Sequence, residues 1–579
     1  MIKTLAKSIR ENKWPSIWAP ILVVLRSIAG TIVPFLMGKM VDNGLMAKNI
    51  HYIITMGITL LLVTLFAMTC GMLSSWLAGN AAAGFARNLR QDLYYHIQTF
   101  SFADIDAIST SGLITRVTTD VNNLQNAYQR LMRIATRAPI VLLSSAIMAF
   151  VVSVRMALLF VLILPVLILG LYWIIRKAQP YFHQVFKRYD KLNQVVREDV
   201  RGIRVVKTYV RQQQEINKFN QATQNIYDVF TKAQRTMALN TPLMELVING
   251  TILLLIWFGA KMIVAHTLEL GQLISLFSYA ISILSSLMML SAIFNQLSMA
   301  QASAQRVVSV LNMHSKITSP AHALTTVADG RIAFNHVDFS YQNDPHNLQL
   351  HDINLHIKSG QVIGIIGATG AGKTSLVQLI PRLYDVTRGS VNVAGHDVKE
   401  YDLHTLRDKV AVVLQQSMLF AGTIKENLRW GNPQAADAEL VEACQLAQVD
   451  DFVRSLPQGY DTMIEQNGTN VSGGQMQRLC IARALLKQPR ILILDDTTSA
   501  VDTNIDAKIR HSFRTDMPDV TKIIISQRIA SIADADQIVV LDHGQINGLG
   551  THDELVQNNP IYRSIYLSQT KQEGDHHGN

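Results

Sequence analysis

The sequence predicts a membrane α-helical unit of six transmembrane helices with long cytoplasmic extensions, joined to an α/β unit. Its length of 579 residues is too great for a single domain. Charged residues make up only 16% of the chain, and the mean hydropathy of +0.18 is typical of a membrane protein. Long apolar runs are confined to the first half, whereas the second half alternates as soluble α/β proteins do.

Six apolar runs are each long enough to cross about 30 Å of hydrocarbon. They are residues 17–39, 53–78, 135–153, 156–176, 244–265 and 272–295. Short and long connections alternate between them, and basic residues are concentrated in the long connection 177–243. The positive-inside rule therefore places both long connections and both termini in the cytoplasm. Each long connection mixes apolar and charged residues, so we expect the flanking spans to continue as helical hairpins below the membrane.

Strongly polar groups inside these spans are few. They are Arg26, Glu245, Asn249 and Asn295. Each is costly in lipid and is expected to face a bundle interior or a water-filled cavity, either for substrate or for helix–helix hydrogen bonding. The net charge of +9 is explained by basic membrane-proximal loops, so no nucleic-acid partner is expected. The three cysteines suit buried thiols, not disulfides or metal ligands.

A phosphate-binding loop is predicted in the second half. "GATGAGKT", Gly367 to Thr374, matches the P-loop pattern and lies between a β-branched strand and an amphipathic helix. Its backbone N–H groups can surround phosphate oxygens, Lys373 can reach the β- and γ-phosphates, and the Thr374 hydroxyl can ligate Mg²⁺. The predicted nucleotide-binding loop is Gly367, Ala368, Thr369, Gly370, Ala371, Gly372, Lys373, Thr374 and Ser375.

A second anion site is predicted at "NVSGGQMQRLCIARALL", where Ser472, Gly473, Gly474 and Gln475 begin an amphipathic helix. A serine cap with a flexible glycine pair would explain it equally well if it stood alone. The P-loop upstream and the strand "ILILDD" downstream, in this order, favour nucleotide binding.

P-loop, "SGGQ" signature, "ILILDD", "SAVD" and six preceding spans together resemble an ABC transporter of the exporter type, with membrane and ATPase domains on one chain. The resemblance covers roughly residues 15 to 570. It implies ATP and Mg²⁺ as cofactors and a dimer in which each nucleotide lies between one P-loop and the other subunit's signature. It also implies a multi-pass protein of the bacterial cell membrane.

The resemblance assigns further roles by position. Tyr341 in "VDFSYQND" stands where the family stacks an aromatic ring on adenine. Gln415 in "VVLQQSMLF" corresponds to the glutamine that contacts Mg²⁺ and water, and Asp495 to the carboxylate that holds Mg²⁺. The segments "TFSFADIDAIST" (99–110) and "RGIRVVKTY" (201–209) are where we expect the coupling helices that dock on ATPase domains.

Three positions depart from the family pattern. Asp496 stands where a longer glutamate polarises the attacking water, and Gln527 replaces the histidine that contacts the γ-phosphate. Gln466 replaces an acidic residue in "IEQNG". The signature, in contrast, is intact. This combination resembles the degenerate-site subunit of heterodimeric bacterial multidrug exporters, which would bind ATP at its own P-loop and complete the partner's active site.

Three functional hypotheses stay open at this point. The first is a heterodimeric exporter subunit for hydrophobic or amphipathic compounds, with a partner that carries Glu and His. The second is a homodimeric exporter that hydrolyses ATP slowly with Asp496, and the third is an ATP-gated membrane sensor. The predicted domains are a membrane domain (1–315), a linker (316–330), an ATPase domain (331–570) and a disordered tail (571–579).

Overall fold

A computed structural model describes the backbone of residues 1–497 and 500–576. Side chains are described throughout these ranges except at a set of positions in three helices. These positions are 164, 183, 186, 291, 292, 294–296, 298, 299 and 571–576. The predicted polar span residue Asn295 therefore lies outside the described side chains, and Ser499 of "SAVD" lies outside the described backbone. The chain forms two compact units, one of residues 1–98 and 111–313, the other of 99–110 and 314–579.

The first unit is entirely helical. Its α-helices are Ile2–Ala6, Lys13–Met40, Ile50–Ile97, Thr110–Thr115, Val121–Arg130, Thr136–Val152, Val154–Thr208, Gln212–Ala238, Asn240–Val264 and Leu270–Leu311. Short 3₁₀ or π segments connect some of them, at Lys7–Asn12, Val41–Met46, Arg116–Asp120 and Leu131–Ala135. Six helical stretches in the described residues are long and apolar enough to cross a membrane, which confirms the six predicted spans.

Three of these helices are much longer than a bilayer requires. Ile50–Ile97 has 48 residues, Val154–Thr208 has 55 and Leu270–Leu311 has 42, whereas about 20 residues cross the hydrocarbon core. The second hairpin turns within residues 209–211, before the helix Gln212–Ala238. The membrane spans therefore do continue as helical extensions, as the mixture of apolar and charged residues predicted.

An ion pair between a buried carboxylate and a half-exposed arginine links two helical segments of this unit. The Asp120 carboxylate is 1% exposed and accepts hydrogen bonds from Arg306 Nε (2.9 Å) and Ser303 Oγ (2.8 Å). Arg306 lowers the pKa of Asp120 against the opposing effect of burial. This bond joins the helix Leu270–Leu311 to the segment Arg116–Asp120, nearly two hundred residues earlier in the chain.

The described residues of the second unit form three sheets. Its strands are β1 Ile332–Phe339, β2 Leu350–Ile357, β3 Val362–Gly367, β4 Arg388–Val393, β5 His396–Asp397, β6 Val410–Val413, β7 Gly422–Thr423, β8 Met463–Ile464, β9 Ile491–Asp495, β10 Thr521–Ile525, β11 Gln537–Asp542 and β12 Gln545–Gly550. The largest sheet has the order β12-β11-β3-β10-β9-β6, and only β12 runs antiparallel to its neighbour. Strands β3, β9 and β10 are buried along their whole length, as expected for parallel strands covered on both faces.

Two hydrophobic cores lie against this sheet, one shared mainly with helices and the other shared with the strands β1, β2 and β4. The α-helices of the unit that follow β3 are Lys373–Gln378, Leu403–Lys409, Ile424–Arg429, Asp437–Leu446, Asp450–Ser455, Gly473–Leu485, Thr503–Thr515, His552–Asn558 and Pro560–His576, with 3₁₀ turns at Val398–Glu400, Gly459–Asp461, Gln466–Gly468 and Ile529–Ser531. The three cysteines are buried and free, as predicted, and burial raises the pKa of the Cys444 thiol to about 12.

Two segments outside the sheets belong to the second unit. The helix Phe102–Ile108 begins at a capping box in which Ser101 and Asp104 exchange hydrogen bonds. Within the segment 316–330, predicted as a linker, the Leu324 backbone bonds to Glu400 and Asp402 and the Val327 side chain is buried. The predicted disorder of 571–579 stays a prediction, since a helix includes its first six residues and the last three lie outside the described residues.

Candidate nucleotide site

The carboxyl ends of three parallel strands bring the predicted site residues together. Strand β3 leads into the P-loop, β9 ends at Asp495, and β10 ends two residues before Gln527. The register pairs Ile525 of β10 with Asp495 of β9 and with Ile365 of β3. Because these strands are parallel, their ends meet at one edge of the sheet, where open α/β folds bind ligands.

Two glycines allow the loop to follow this edge closely. A Cβ at Gly367 would lie 2.1 Å from the carbonyl oxygen of Leu541 in β11, so a side chain cannot fit there. Gly372 has a φ of +97°, and a Cβ would meet the Leu350 side chain at 2.8 Å. This left-handed conformation just before the helix Lys373–Gln378 favours glycine.

The Lys373 ammonium is held at the mouth of this loop. Its Nζ donates hydrogen bonds to the carbonyl oxygens of Gly367 and Ala368, both at 2.8 Å. Burial lowers the pKa of Lys373, and the carboxylates of Asp495 and Asp496 partly oppose that shift. Carbonyl oxygens of the P-loop itself thus position the Lys373 ammonium group.

The oxygen groups suited to Mg²⁺ also lie together. The Thr374 hydroxyl donates a hydrogen bond of 2.8 Å to the Asp495 carboxylate, and Gln415 lines the same cavity. Hydroxyl, carboxylate and amide oxygens are the hard ligands that Mg²⁺ prefers, so these three residues fit the ion that the family uses. Burial, and secondarily the charge of Asp496, raises the pKa of Asp495, so a cation beside it would favour the ionised form.

Asp496 follows β9 in an unusual backbone conformation. Its φ is +50°, a left-handed value that Asp adopts more readily than most residues with a side chain. Its N–H donates to the Ile525 carbonyl oxygen (3.0 Å), so the turn is tied to β10. Burial raises the pKa of the Asp496 carboxyl, while the charges of Lys373 and Arg528 lower it.

A cavity of about 300 Å³ contains these groups. Its described lining includes Tyr341, Thr369, Gly370, Gly372, Lys373, Thr374, Ser375, Gln415, Asp495, Asp496 and Gln527. The predicted metal and catalytic residues therefore line one cavity with most of the predicted loop, whereas Gly367, Ala368 and Ala371 are not among its lining residues. Ser472, Gly473, Gly474 and Gln475 are not among the described residues that line it.

The signature forms the cap of a separate helix, Gly473–Leu485. The Ser472 N–H donates to Gln475 Oε1 (2.8 Å) and the Gln475 N–H donates back to Ser472 Oγ (3.3 Å). This capping box fixes the helix start and orients its first N–H groups. A Cβ at Gly474 would lie 2.7 Å from the Ala500 carbonyl oxygen, whereas one at Gly473 would make only ordinary contact at 3.6 Å.

An aromatic cluster joins the site to the helix Phe102–Ile108. The Tyr341 ring lies edge-on to Tyr384 at 5.0 Å, and its hydroxyl is 2.9 Å from Ser375 Oγ next to the P-loop. Tyr384 donates a 2.6 Å hydrogen bond to Asp106 and packs edge-on against Phe102. Burial and Asp106 raise the pKa of Tyr384, so the phenol keeps its proton for this bond.

The carboxyl-terminal helix holds the loop after β10. Gln569 Nε2 donates to the Gln527 carbonyl oxygen (2.7 Å), and its Oε1 accepts from the Ile529 N–H (2.9 Å). One side-chain amide thereby satisfies two backbone groups of the segment that positions Gln527. No local pattern predicted Tyr384, Asp106 or Gln569 for the site. Only the aromatic and polar character of the first two was visible in the sequence.

Comparison with known proteins gives the same picture. Residues 17–288 match the family described as the ABC transporter transmembrane region, and residues 350–499 match the family described as ABC transporter. The chain is 34% identical over 559 residues to the ABC transporter ATP-binding protein YfiB of Bacillus subtilis (strain 168), covering 96% of each chain.

The chain belongs to the ABC transporter family. It is also 34% identical over 554 residues to the ABC transporter ATP-binding protein Rv1273c of Mycobacterium tuberculosis, covering 95% of each chain. A lipid A-core flippase of Syntrophus aciditrophicus is 28% identical over 558 residues, covering 96% of this chain and 92% of that one. This transporter is thus an exporter-type membrane protein that couples ATP hydrolysis to transport, with fused transmembrane and ATPase domains.

Removal of the Tyr384 hydroxyl should loosen the helix Phe102–Ile108. Tyr384→Phe keeps the ring between Phe102 and Tyr341 but removes the 2.6 Å bond to Asp106. A hydrogen bond to a charged group contributes about 1.5–3 kcal/mol, so amide exchange in this helix should accelerate roughly tenfold or more. Hydrogen–deuterium exchange with mass spectrometry measures it.

Tyr401→Phe is the matched control, because the Tyr401 hydroxyl donates to Val393 elsewhere in the same unit. Unchanged exchange of residues 102–108 in Tyr384→Phe, or an equal change in Tyr401→Phe, would contradict the assigned role of the Tyr384–Asp106 bond.

Proposed function

We propose that this chain is one subunit of a heterodimeric exporter, and that its own P-loop side forms a degenerate site. Mg-ATP would be held there by the P-loop, Tyr341, Thr374, Gln415 and Asp495. The signature, Ser472 to Gln475, would complete the active site of a second ABC half-transporter. The observation that carries this proposal is Asp496, a short carboxylate at the position of the attacking base, in a chain whose signature cap is well formed.

The chemistry at Asp496 and Gln527 supports slow turnover. Aspartate is one methylene shorter than glutamate, and a misplacement of about 1 Å typically costs on the order of 10²-fold. Gln527 lines the cavity but its amide cannot take up a proton as an imidazole does. If each loss were about 10²-fold and the two were additive, the barrier would rise by about 5 kcal/mol.

Steric freedom at Gly473 supports a role toward another chain. A Cβ there meets only Ala500, at an ordinary 3.6 Å, so the packing of this chain does not require glycine. Glycine at this position does allow close approach of a phosphate to the helix start, where N–H groups and the helix dipole favour an anion. The requirement for glycine at position 473 would come from a nucleotide bound to the partner.

A dimer is also supported by the tip of the second hairpin. Residues 201–209, the second expected coupling helix, are flanked and filled by exposed apolar side chains. Among them Tyr209 is 71% exposed and Val210 is 78% exposed. Apolar groups on the tip of a polar extension suit docking on another protein surface. We assign that surface to the ATPase domain of the second half-transporter.

The proposed cargo is a hydrophobic or amphipathic compound, a drug or a lipid, moved from the cytoplasm or inner leaflet of a bacterial cell membrane. The flippase relative acts on lipid A-core according to its name, and the spans here are rich in Leu, Ile, Met and Phe. The basic connection 177–243 supports cytoplasmic termini. A slow homodimer using Asp496 is the second candidate, because Asp496 keeps a carboxylate at the base position.

The chain purified without any other half-transporter should bind ATP but hydrolyse it very slowly. The P-loop, Thr374 and Asp495 needed for binding are all in place, whereas Asp496 and Gln527 both depart from the active pattern. Equilibrium binding of a fluorescent ATP analogue and phosphate release should be measured on the same preparation. Rapid, vanadate-sensitive phosphate release from a preparation free of any partner would overturn the heterodimer proposal, because it would show that Asp496 supports efficient hydrolysis without a second half-transporter.

In the heterodimer, damage to the signature should reduce ATPase activity more than damage to the P-loop. Gly473→Glu places a negative charge at the helix start beside the partner's nucleotide, and loss of one preorganised donor typically costs about 10²–10³-fold. Lys373→Ala weakens ATP only at the slow site, so substantial activity should survive. ATPase activity at saturating Mg-ATP compares the two variants.

Gly473→Ala serves as a steric control, since its methyl group fits this chain and should leave folding and ATP binding unchanged. If Lys373→Ala abolished activity while Gly473→Glu left it near normal, the active and degenerate sites would be assigned the wrong way round.

Repair of the slow site should raise its own turnover. Asp496→Glu with Gln527→His restores the longer carboxylate and the imidazole, so we expect faster hydrolysis at this site without a necessary gain in transport. Site-resolved turnover is obtained by blocking the partner's site with a substitution in the partner's P-loop lysine. If hydrolysis at this site were unaltered in the double variant, Asp496 and Gln527 would not be the cause of slow hydrolysis, and another residue would have to limit it.

A further inference from the structure

A cavity lined by two arginines lies among the helices of the membrane unit. It has a volume of about 800 Å³ and is formed by the helices Lys13–Met40, Ile50–Ile97, Thr136–Val152 and Leu270–Leu311. Two arginines, Arg26 and Arg137, line it, and none of its described lining residues is acidic. A cavity of this size accommodates a drug-sized ligand or a lipid head group.

Arg26 occupies a space that the neighbouring helix keeps open. A Cβ on Gly71 would lie 2.9 Å from Arg26 Nη1 and 3.0 Å from its Cζ and Nε. The guanidinium group therefore packs flat against the glycine backbone of the helix Ile50–Ile97. An ionised group inside a membrane span is costly when it faces lipid. Arg26 faces a cavity instead, which lowers that cost.

Arg137 adds a second positive charge to the same wall. It lies in the first turn of the helix Thr136–Val152, and its side chain lines the same cavity as Arg26. In the part of the chain that the structure describes, neither arginine forms an ion pair with an acidic side chain. Two like charges without a counter-charge at the edge of a membrane domain favour an anion between them.

The rest of the wall is both polar and apolar. The hydroxyl groups of Ser27, Thr64 and Ser75 line the cavity but donate to carbonyl oxygens of their own helices, at 2.7, 2.7 and 2.8 Å. Their protons are thus already used, and donation to a ligand depends mainly on the two guanidinium groups. Met68 and Met72, also in the lining, supply flexible apolar surface beside the arginines.

We propose that this cavity binds the anionic head group, phosphate or carboxylate, of an amphiphile. Arg26 and Arg137 would hold the head group by charge-assisted hydrogen bonds, and the methionine side of the wall would contact the first part of its apolar chain. The inference rests on the proposed function in one respect, because it gives a charge to the amphipathic cargo. A cationic amphiphile would be repelled by both arginines.

The charge preference can be tested by ligand binding without ATP. The full chain, with any chain that co-purifies, is placed in phosphatidylcholine nanodiscs, which carry no net charge. Binding of radiolabelled dodecyl phosphate above that of empty nanodiscs is measured, with dodecyltrimethylammonium and inorganic phosphate as competitors. The variants are Arg26→Gln, Arg137→Gln, the corresponding lysine variants, and Gly71→Val, which retains both charges but displaces the Arg26 side chain.

Each glutamine variant should weaken dodecyl phosphate binding roughly tenfold or more, since a charge-assisted hydrogen bond is lost. The lysine variants should lose less, and Gly71→Val should resemble Arg26→Gln. Arg155→Gln, an exposed arginine outside the cavity lining, is the matched control and should leave binding unchanged. Unaltered binding of the ATP analogue confirms that each variant is folded.

Three results would overturn the inference. They are undiminished binding in both glutamine variants, equal competition by dodecyltrimethylammonium, and equal competition by inorganic phosphate, which would identify a site for free anions. Binding here requires neither hydrolysis nor a particular partner. Failure of this experiment therefore leaves the degenerate-site proposal intact, and failure of the ATPase experiments leaves the binding result intact.

Discussion

The parallel pairing of β3, β9 and β10 is the constraint on which the nucleotide site depends. Their register fixes where each strand ends, and the residues that follow have no other way to meet. Gly367 tightens this constraint, because only a residue without Cβ can pair with Leu541 of β11 at that point. Backbone hydrogen bonds of the sheet therefore set the positions of the P-loop, Asp495 and Gln527, independently of side-chain contacts.

Residues distant in the chain then hold the edges of this site. Tyr384 links the ring of Tyr341 to Asp106, and Gln569 satisfies the backbone around Gln527. The sheet alone positions neither of these structures. Tyr384 holds the exposed ring of Tyr341, and Gln569 holds the loop that follows β10. Movement of Phe102–Ile108 would therefore first change the adenine side of the proposed nucleotide position. Movement of the carboxyl-terminal helix would first change its γ-phosphate side.

The sequence predicted what is encoded locally. Six spans follow from runs of apolar residues, and the P-loop and signature follow from glycine spacing next to a strand or helix; each is contained within about 25 residues. Tyr384 and Asp106 are 278 positions apart, and no local pattern relates them. Arg137 lies at the edge of its apolar run, where an arginine resembles an ordinary membrane-flanking charge, so the span pattern does not single it out. The contacts of Leu324 and Val327 are not visible in the sequence either, since scattered apolar residues in a polar stretch do not form a periodic pattern.

On the proposed assignment, the geometry at Asp496 would favour retention of nucleotide over its hydrolysis. The left-handed turn after β9 suits aspartate, and burial raises the pKa values of both Asp495 and Asp496, so their negative charges are best stabilised by cations. Lys373 provides one such cation, and Mg²⁺ held by Thr374, Gln415 and Asp495 would provide another. A site of this kind gains from binding Mg-ATP whether or not a water molecule is activated, because the electrostatic stabilisation needs only the bound ion and phosphates. On the proposed arrangement, such a site contributes binding energy that brings two ATPase domains together, and the partner's site, completed by Ser472 and Gly473, contributes the hydrolysis that separates them.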